Sequence, residues 1–236
     1  MTFAFCTATS HDETVRCARI AVLPVGSFEQ HGGHLPLATD TLIACEIASR
    51  IAATYKLFLL PPVAVACSHE HAGFPGTVSI SAMTLVATVD DVAESLARSG
   101  IPSLVLVNGH GGNHVLANVV CEHNTAGRQM MLFPTMTDWC TARIHAEMAT
   151  TDLDDMHGGE LETSILLHAH PELVADTYKD ADHEARDRPH LLITGMAGYT
   201  TSGIIGRPSL ATAAKGRAAL DSLDESFASH LKELAG

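Results

Sequence analysis

Residues 20–40 read IAVLPVGSFEQHGGHLPLATD. Ile20–Val25 is a short apolar run that stops at Gly26, and the polar, glycine-rich stretch behind it carries Glu29, His31, His34 and Asp40. A short run rich in branched apolar residues and bounded by glycine or proline is how a parallel strand buried on both faces reads. The pattern recurs at residues 57–66, with Pro61 and Pro62 at its centre, at 103–107, which runs into Asn108-Gly109, and at 129–134. Between these runs the spacing predicts helices. Residues 41–54 place Leu42, Ile43, Ile47 and Ile51 on one face behind Thr39 or Asp40 as cap, and 82–99 follow Ser81 and stop at Gly100. Residues 114–126 stop at Gly127, and 211–234 carry Leu220, Leu223, Phe227, Leu231 and Leu234 at three- and four-residue intervals. This alternation predicts an α/β three-layer sandwich, a mostly parallel sheet with helices on both faces, formed by a single domain over residues 1–236. Residues 175–206, rich in His, Asp, Arg, Gly and Thr, are expected to make irregular excursions over the site or at a subunit contact, and to wall its pocket.

Composition narrows the function classes. Against 27 acidic residues stand only 14 lysines and arginines, a formal charge of −13, which is unsuited to tracking a phosphate backbone and predicts no nucleic-acid partner. With 46% hydrophobic and 17% charged residues the chain can bury a core. No apolar run reaches the roughly 18 residues of a membrane span, and MTFAFCTATSHDE lacks a basic segment leading into an apolar one. The expectation is a cytoplasmic protein without a membrane partner. Six widely spaced cysteines with no CxxC pair predict small buried residues and no disulfides.

Ligands bind open α/β sheets beyond the carboxyl ends of the strands. Two strands run into polar, glycine-rich sequence there, at residues 26–40 and at Asn108-Gly-His110-Gly-Gly-Asn113-His114. A third cluster, Asp154-Asp-Met-His157-Gly-Gly-Glu160-Leu-Glu162-Thr-Ser164, opens a helix running to His170. Carboxylates and imidazoles are the ligands that suit Zn²⁺ or Mn²⁺, and glycines let a loop wrap close to an ion. Glu29 and His31, two apart in extended chain, project the same way and could each serve one of two adjacent metals. His69-Glu70-His71, before Phe74-Pro-Gly-Thr77, either lines a pocket or is solvated. GHGGNH departs from a dinucleotide fingerprint at His114, and no GxSxG elbow exists.

The stretches VGSFEQHGGHLPLATD, HAGFPGTVSIS, VNGHGGN, HGGELETS and GIIGRPSLATAAKGR resemble the creatininase (creatinine amidohydrolase) family, over residues 19–234. The resemblance implies an α/β sandwich, commonly a homohexamer, whose two divalent ions (Zn and/or Mn, with Fe possible) hydrolyse amide bonds. It further implies that Glu29 and His110 bind the first metal, His31 the second, and Asp40 both. The family's glutamate two places after His110 is Gly112 here; Glu162, water or nothing could replace it. His157 matches the proton-shuttling histidine, with Glu162 a second catalytic candidate, and His34 would orient a metal ligand. Trp139 matches one of two substrate-facing tryptophans; the other is replaced by about Leu153, and a tyrosine by Gly111. The GHGGN form is that of deformylases of formamidopyrimidine nucleotides and of a peptidase trimming the mycofactocin precursor. Substrate contacts are expected from His71, Gly111, Gly112 and Trp139, the glycine amides holding a carboxylate or phosphate at a helix start. The implied activity is metal-dependent hydrolysis of a C–N bond in a small amide, cyclic amide or formamide; the alternatives are trimming of a short peptide precursor and a non-catalytic metal-binding scaffold.

Overall fold

The computed structural model describes residues 7–235. Its centre is a four-stranded, all-parallel sheet of β1 (Ile20–Val25), β2 (Phe58–Leu59), β3 (Ser103–Asn108) and β4 (Gln129–Phe133), in the order β2-β1-β3-β4. β1 and β3 pair along their full length, from Ile20 opposite Ser103 to Val25 opposite Asn108. Every residue of β1 is buried. That is the signature of a sheet covered on both faces.

The helices are α1 (Ser10–Arg16), α2 (Thr39–Tyr55), α3 (Ala82–Arg98), α4 (Val115–Thr125), α5 (Met136–His145), α6 (Glu160–Ala169), the single turn α7 (Leu191–Thr194) and α8 (Ala213–Ala235). Alternation along the strands sorts them into two layers. Val22, Val105 and Val107 face a core built with Ile43, Ile47, Ile165, Leu220, Leu223 and Phe227, from α2, α6 and α8. Leu23, Leu104 and Leu106 face the opposite core, with Leu85, Val89 and Leu116 from α3 and α4. The expected α/β sandwich with a parallel sheet is therefore the observed one.

Four expectations are corrected. The strand read over 57–66 is only Phe58–Leu59, because Pro61 and Pro62 cannot donate to a ladder; beyond them a lone bridge joins Val63 to Val25. Helices α1 and α5 were not expected at all; each opens on a capping box, Thr9 with Asp12 and Thr135 with Asp138. Of the described cysteines only Cys67 is buried; Cys17 and Cys121 are exposed and Cys45 and Cys140 half-buried, since they fall at helix ends or on outward faces, and all are free thiols. Cys6 lies outside the described residues. Residues 175–206 are irregular as expected, but they close the back of the site, with Ile205 bridging His157 and Gly206 bridging His183. No helix among the described residues is long and apolar enough to cross a membrane.

Candidate metal centre

Because β1 and β3 are parallel neighbours, their carboxyl ends bring residues 26–40 and 108–114 together. Asn113 locks the two loops, its Nδ2 donating to the Gly26 carbonyl at 3.0 Å and to Asn108 Oδ1 at 3.0 Å. Asp40, in the first turn of α2, is pressed against this junction. A Cβ on Gly109 would overlap the Asp40 carbonyl oxygen, so the approach requires glycine.

Asp40 is the carboxylate in touch with both halves of the cluster. Its Oδ1 lies 3.0 Å from His31 Nε2, and its Oδ2 lies 2.9 Å from His110 Nδ1 and accepts from Ser27 Oγ at 2.7 Å. Burial opposes the Asp40 anion, but His31 and His110 outweigh it and hold the carboxyl well below its usual range. Burial likewise opposes protonated His31, and Asp40, Glu162 and Glu29 overcome it, pushing the imidazole up to about 9. His31 Nδ1 lies 3.0 Å from the Glu29 carbonyl, which can only accept, so Nδ1 carries the proton and Nε2 faces the cluster.

Glu29 is fully buried. Its Oε2 lies 3.2 Å from His110 Nε2, and its Oε1 lies 3.2 Å from His71 Nε2 and 3.7 Å from His157 Nδ1. Burial, reinforced by Asp40, raises its carboxyl to about 8. Glu70, expected only to line a pocket or be solvated with its two flanking histidines, places Oε1 3.3 Å from His110 Nε2. Against the penalty of burial, Asp40 and Glu70 hold His110 well above its ordinary value. Glu162, in the first turn of α6, brings Oε2 to 3.9 Å from His31 Nε2 while accepting from the Gly158 amide at 2.6 Å; burial, then Asp40 against His31, raises it to about 7.

Three sets of side chains hold one ligand atom each within 4.8 Å of one another: Glu29–Glu70–His110, His31–Asp40–Glu162 and Glu29–His31–His157. Both carboxylate oxygens of Glu29 and the Nε2 of His110 are buried and make no hydrogen bond among the described residues. Buried polar atoms are ordinarily paired, and a set of unpaired carboxylate oxygens beside an imidazole nitrogen is matched by a divalent cation. The residues present fit such an ion.

The remaining site candidates are placed as follows. His157 Nε2 donates to the Gln30 carbonyl at 2.6 Å, and its ring lies 4.2 Å from that of His31 and 4.3 Å from that of His71. Burial, with His31 and His71 beside it, drives its pKa well down, so His157 is neutral. His71 sits behind Glu29, its Nδ1 accepting from Gln30 Nε2 at 3.0 Å, and does not line the cavity beside the cluster; burial lowers it to about 4. His34 lies outside the cluster, 3.1 Å from the Gly158 carbonyl and 3.2 Å from Thr163 Oγ1, where it holds the turn that carries His157. Gln30, also unforeseen, ties His71, His157 and Gly203 together.

A cavity of about 350 Å³ adjoins the cluster, with Asn108, His110, Gly111, Trp139, Arg143 and Glu162 among its lining residues. Trp139 and Gly111 line this cavity; Gly112 and Leu153 do not, Gly112 being covered by Glu70 and Leu153 turning 51% of its surface to solvent. No residue of 175–206 lines this cavity, whose walls come instead from α2, α5 and α6, the end of β3, and the loops after β3 and before α5 and α6. The glycine pair precedes α4, which starts only at Val115, so its amides belong to a turn and not to a helix start.

A family model described as creatinine amidohydrolase matches residues 4–231. The chain is 36% identical over 207 residues to the mycofactocin precursor peptide peptidase of Mycolicibacterium smegmatis, covering 84% of this chain and 78% of that one. It is 28% identical over 232 residues to the creatinine amidohydrolase of Pseudomonas putida, covering 91% and 89%. A solved manganese form of creatininase shares the fold with a TM-score of 0.82 at 26% identity over 98% of each chain, and similar solved structures include a zinc form.

Proposed function

The chain belongs to the creatininase family, and from that premise we propose that it is a hydrolase that cleaves a C–N bond of a small amide at a centre of two divalent ions, Zn²⁺ or Mn²⁺. One observation carries this reading: the unpaired, buried oxygens of Glu29 and the unpaired Nε2 of His110 lie beside a cavity sized for a small molecule. Glu29 and His110 would hold one ion, His31 and Glu162 the other, with Asp40 between them. Bound there, the pair of ions would acidify a water and polarise the carbonyl to be attacked.

The chain's own groups supply orientation and proton handling. The Glu29 carbonyl fixes the His31 ring, and the His71 ring, its Nε2 3.2 Å from Glu29 Oε1, packs behind that carboxylate. His157 has its Nε2 engaged by Gln30, so Nδ1 is the nitrogen free to carry a proton to the leaving amine. A protonated imidazole in so unfavourable a setting is a strong acid, which suits that delivery. Trp139 walls the cavity, and Gly111 leaves room beside His110.

A second reading, trimming of a short peptide, is favoured by the 36% identity to a peptide peptidase, above that to creatinine amidohydrolase. Assay of the metal-loaded protein against creatinine, formamides and short peptides separates the two. Turnover is expected with at least one class, and is expected to vanish in His31→Ala and Asp40→Ala. Full turnover in either variant, or less than one divalent ion per chain after Zn²⁺ or Mn²⁺ addition, would sink the proposal.

A further inference from the structure

The geometry points to Glu70 as a direct ligand of the ion at the Glu29–His110 end of the centre, supplied by a loop that neither of the two strand-end motifs contains. The inference rests on the metal-centre reading above and deepens it.

Glu70 sits in a 3-10 turn, His69–His71, that the chain anchors on both sides. His71 is buried against Glu29 and Gln30, and the Ser68 amide donates to Ser79 Oγ at 2.8 Å. On the outer side Gly195, at φ +63°, lies so close that a Cβ there would come within 2.7 Å of the Glu70 carbonyl oxygen. The side chain is thereby directed inward, to the Nε2 of His110, although 19% of it stays accessible.

There His110 Nε2 meets two carboxylate oxygens at nearly equal range, Glu29 Oε2 at 3.2 Å and Glu70 Oε1 at 3.3 Å, and hydrogen-bonds to neither. A cation at the centre of the three atoms would serve all of them. Asp40 already takes the opposite nitrogen of the ring at 2.9 Å. Three carboxylates around one imidazole leave an excess of negative charge that a divalent ion neutralises.

Gly112 supplies a separate observation. Its φ lies outside the left-handed region, so its backbone would accept a side chain. Space does not: a Cβ would overlap Glu70 Oε1 and His110 Nε2. Glycine at 112 and glutamate at 70 therefore share one volume, and a carboxylate reaches the ion from the neighbouring loop.

The test compares full-length wild type, Glu70→Gln and Glu70→Asp by Zn²⁺ and Co²⁺ titration, with metal content after dialysis, the visible spectrum of the cobalt form and the thermal midpoint in chelator. Outer partners of a metal are worth about 10–100-fold in affinity, so loss of a direct ligand should weaken one of the two ions by about 100-fold or more. The expected result is that loss in Glu70→Gln, a changed cobalt spectrum and partial recovery in Glu70→Asp, beyond any shift of the midpoint in chelator. Wild-type affinity for both ions in Glu70→Gln would overturn the assignment while leaving the metal centre standing. A lowered midpoint without an affinity change would overturn it too, in favour of an ion pair with His110. A wild type that binds no divalent ion would overturn both readings.

Discussion

Asp155 is the residue on which the third motif turns, and its removal has a magnitude that can be worked out. Its carboxylate accepts from the first two amides of α6, Glu160 N at 2.5 Å and Leu161 N at 3.0 Å. It also takes Arg143 Nη1 at 2.8 Å, in a pair whose side chains are 2% and 11% exposed. Loss of a helix cap is worth about 1 kcal/mol, and stripping one partner from a buried ion pair about 3–5 kcal/mol. Asp155→Ala should therefore lose about 4–6 kcal/mol in urea unfolding of the metal-free protein. For a chain of this size that corresponds to a fall in Tm of about 8–24 °C. Arg143→Met alone leaves Asp155 with its two amide donors and should lose about 1–2 kcal/mol. The double variant has no orphaned guanidinium, so it should be more stable than Asp155→Ala alone, by about 2 kcal/mol. Because α6 carries Glu162 in its first turn, Asp155→Ala should also weaken metal binding. Additive losses in the double variant, or a loss under about 1 kcal/mol in Asp155→Ala, would refute the reasoning.

Four further outcomes are expected. In the metal-free protein His31 titrates at about 9, Glu29 at about 8 and Glu162 at about 7, all raised; an ion must displace their protons, so affinity should rise from about pH 6 to about pH 9 with proton release visible as buffer-dependent heat, and a flat profile would contradict this. The same raised values mean that their stabilisation is complete below their ordinary values and lost as pH climbs through 7–9; in chelator the Tm should fall across that window, and a rise would contradict the assignment. Phe227→Ala empties a fully buried position whose ring lies 5.1 Å from Phe133 and 5.2 Å from Tyr55; it should lose about 3–5 kcal/mol in denaturant with metal stoichiometry intact. Trp139→Ala removes a cavity wall without touching the cluster, so KM should rise while bound metal stays constant; loss of the metal would show that the ring supports the centre instead.

Much of the fold is legible locally. β1, β3 and β4 read as strands because each is a short apolar run closed by glycine or proline, and α2, α3, α4 and α8 because their apolar spacing is helical. Helices α1 and α5 escaped because they are short, 7 and 10 residues, with little apolar periodicity. Their signal was the capping box with aspartate in place of the usual glutamate, as in Thr135-x-x-Asp138. The apolar run over 57–66 predicts a longer strand than β2 because its two prolines end the ladder after Leu59.

The chemistry of the site was legible too, since a carboxylate or imidazole behind a strand that ends in glycine must emerge at the carboxyl edge of the sheet. Glu29, His31, Asp40, His110 and Glu162 could be named on that ground and on family resemblance. What local sequence cannot express is the distance between loops. Glu70 reaches His110 across 40 positions, through a turn with no strand of its own, and only the packing of Gly195 and His71 around that turn decides which way the carboxylate points. The same holds for His157: its residue type was plain from the sequence, but its neutrality is a product of burial between two other imidazoles. Residue identity and strand ends are properties of the chain; proximity, desolvation and the charge state they impose belong to the folded molecule, because each depends on neighbours that the chain supplies from elsewhere.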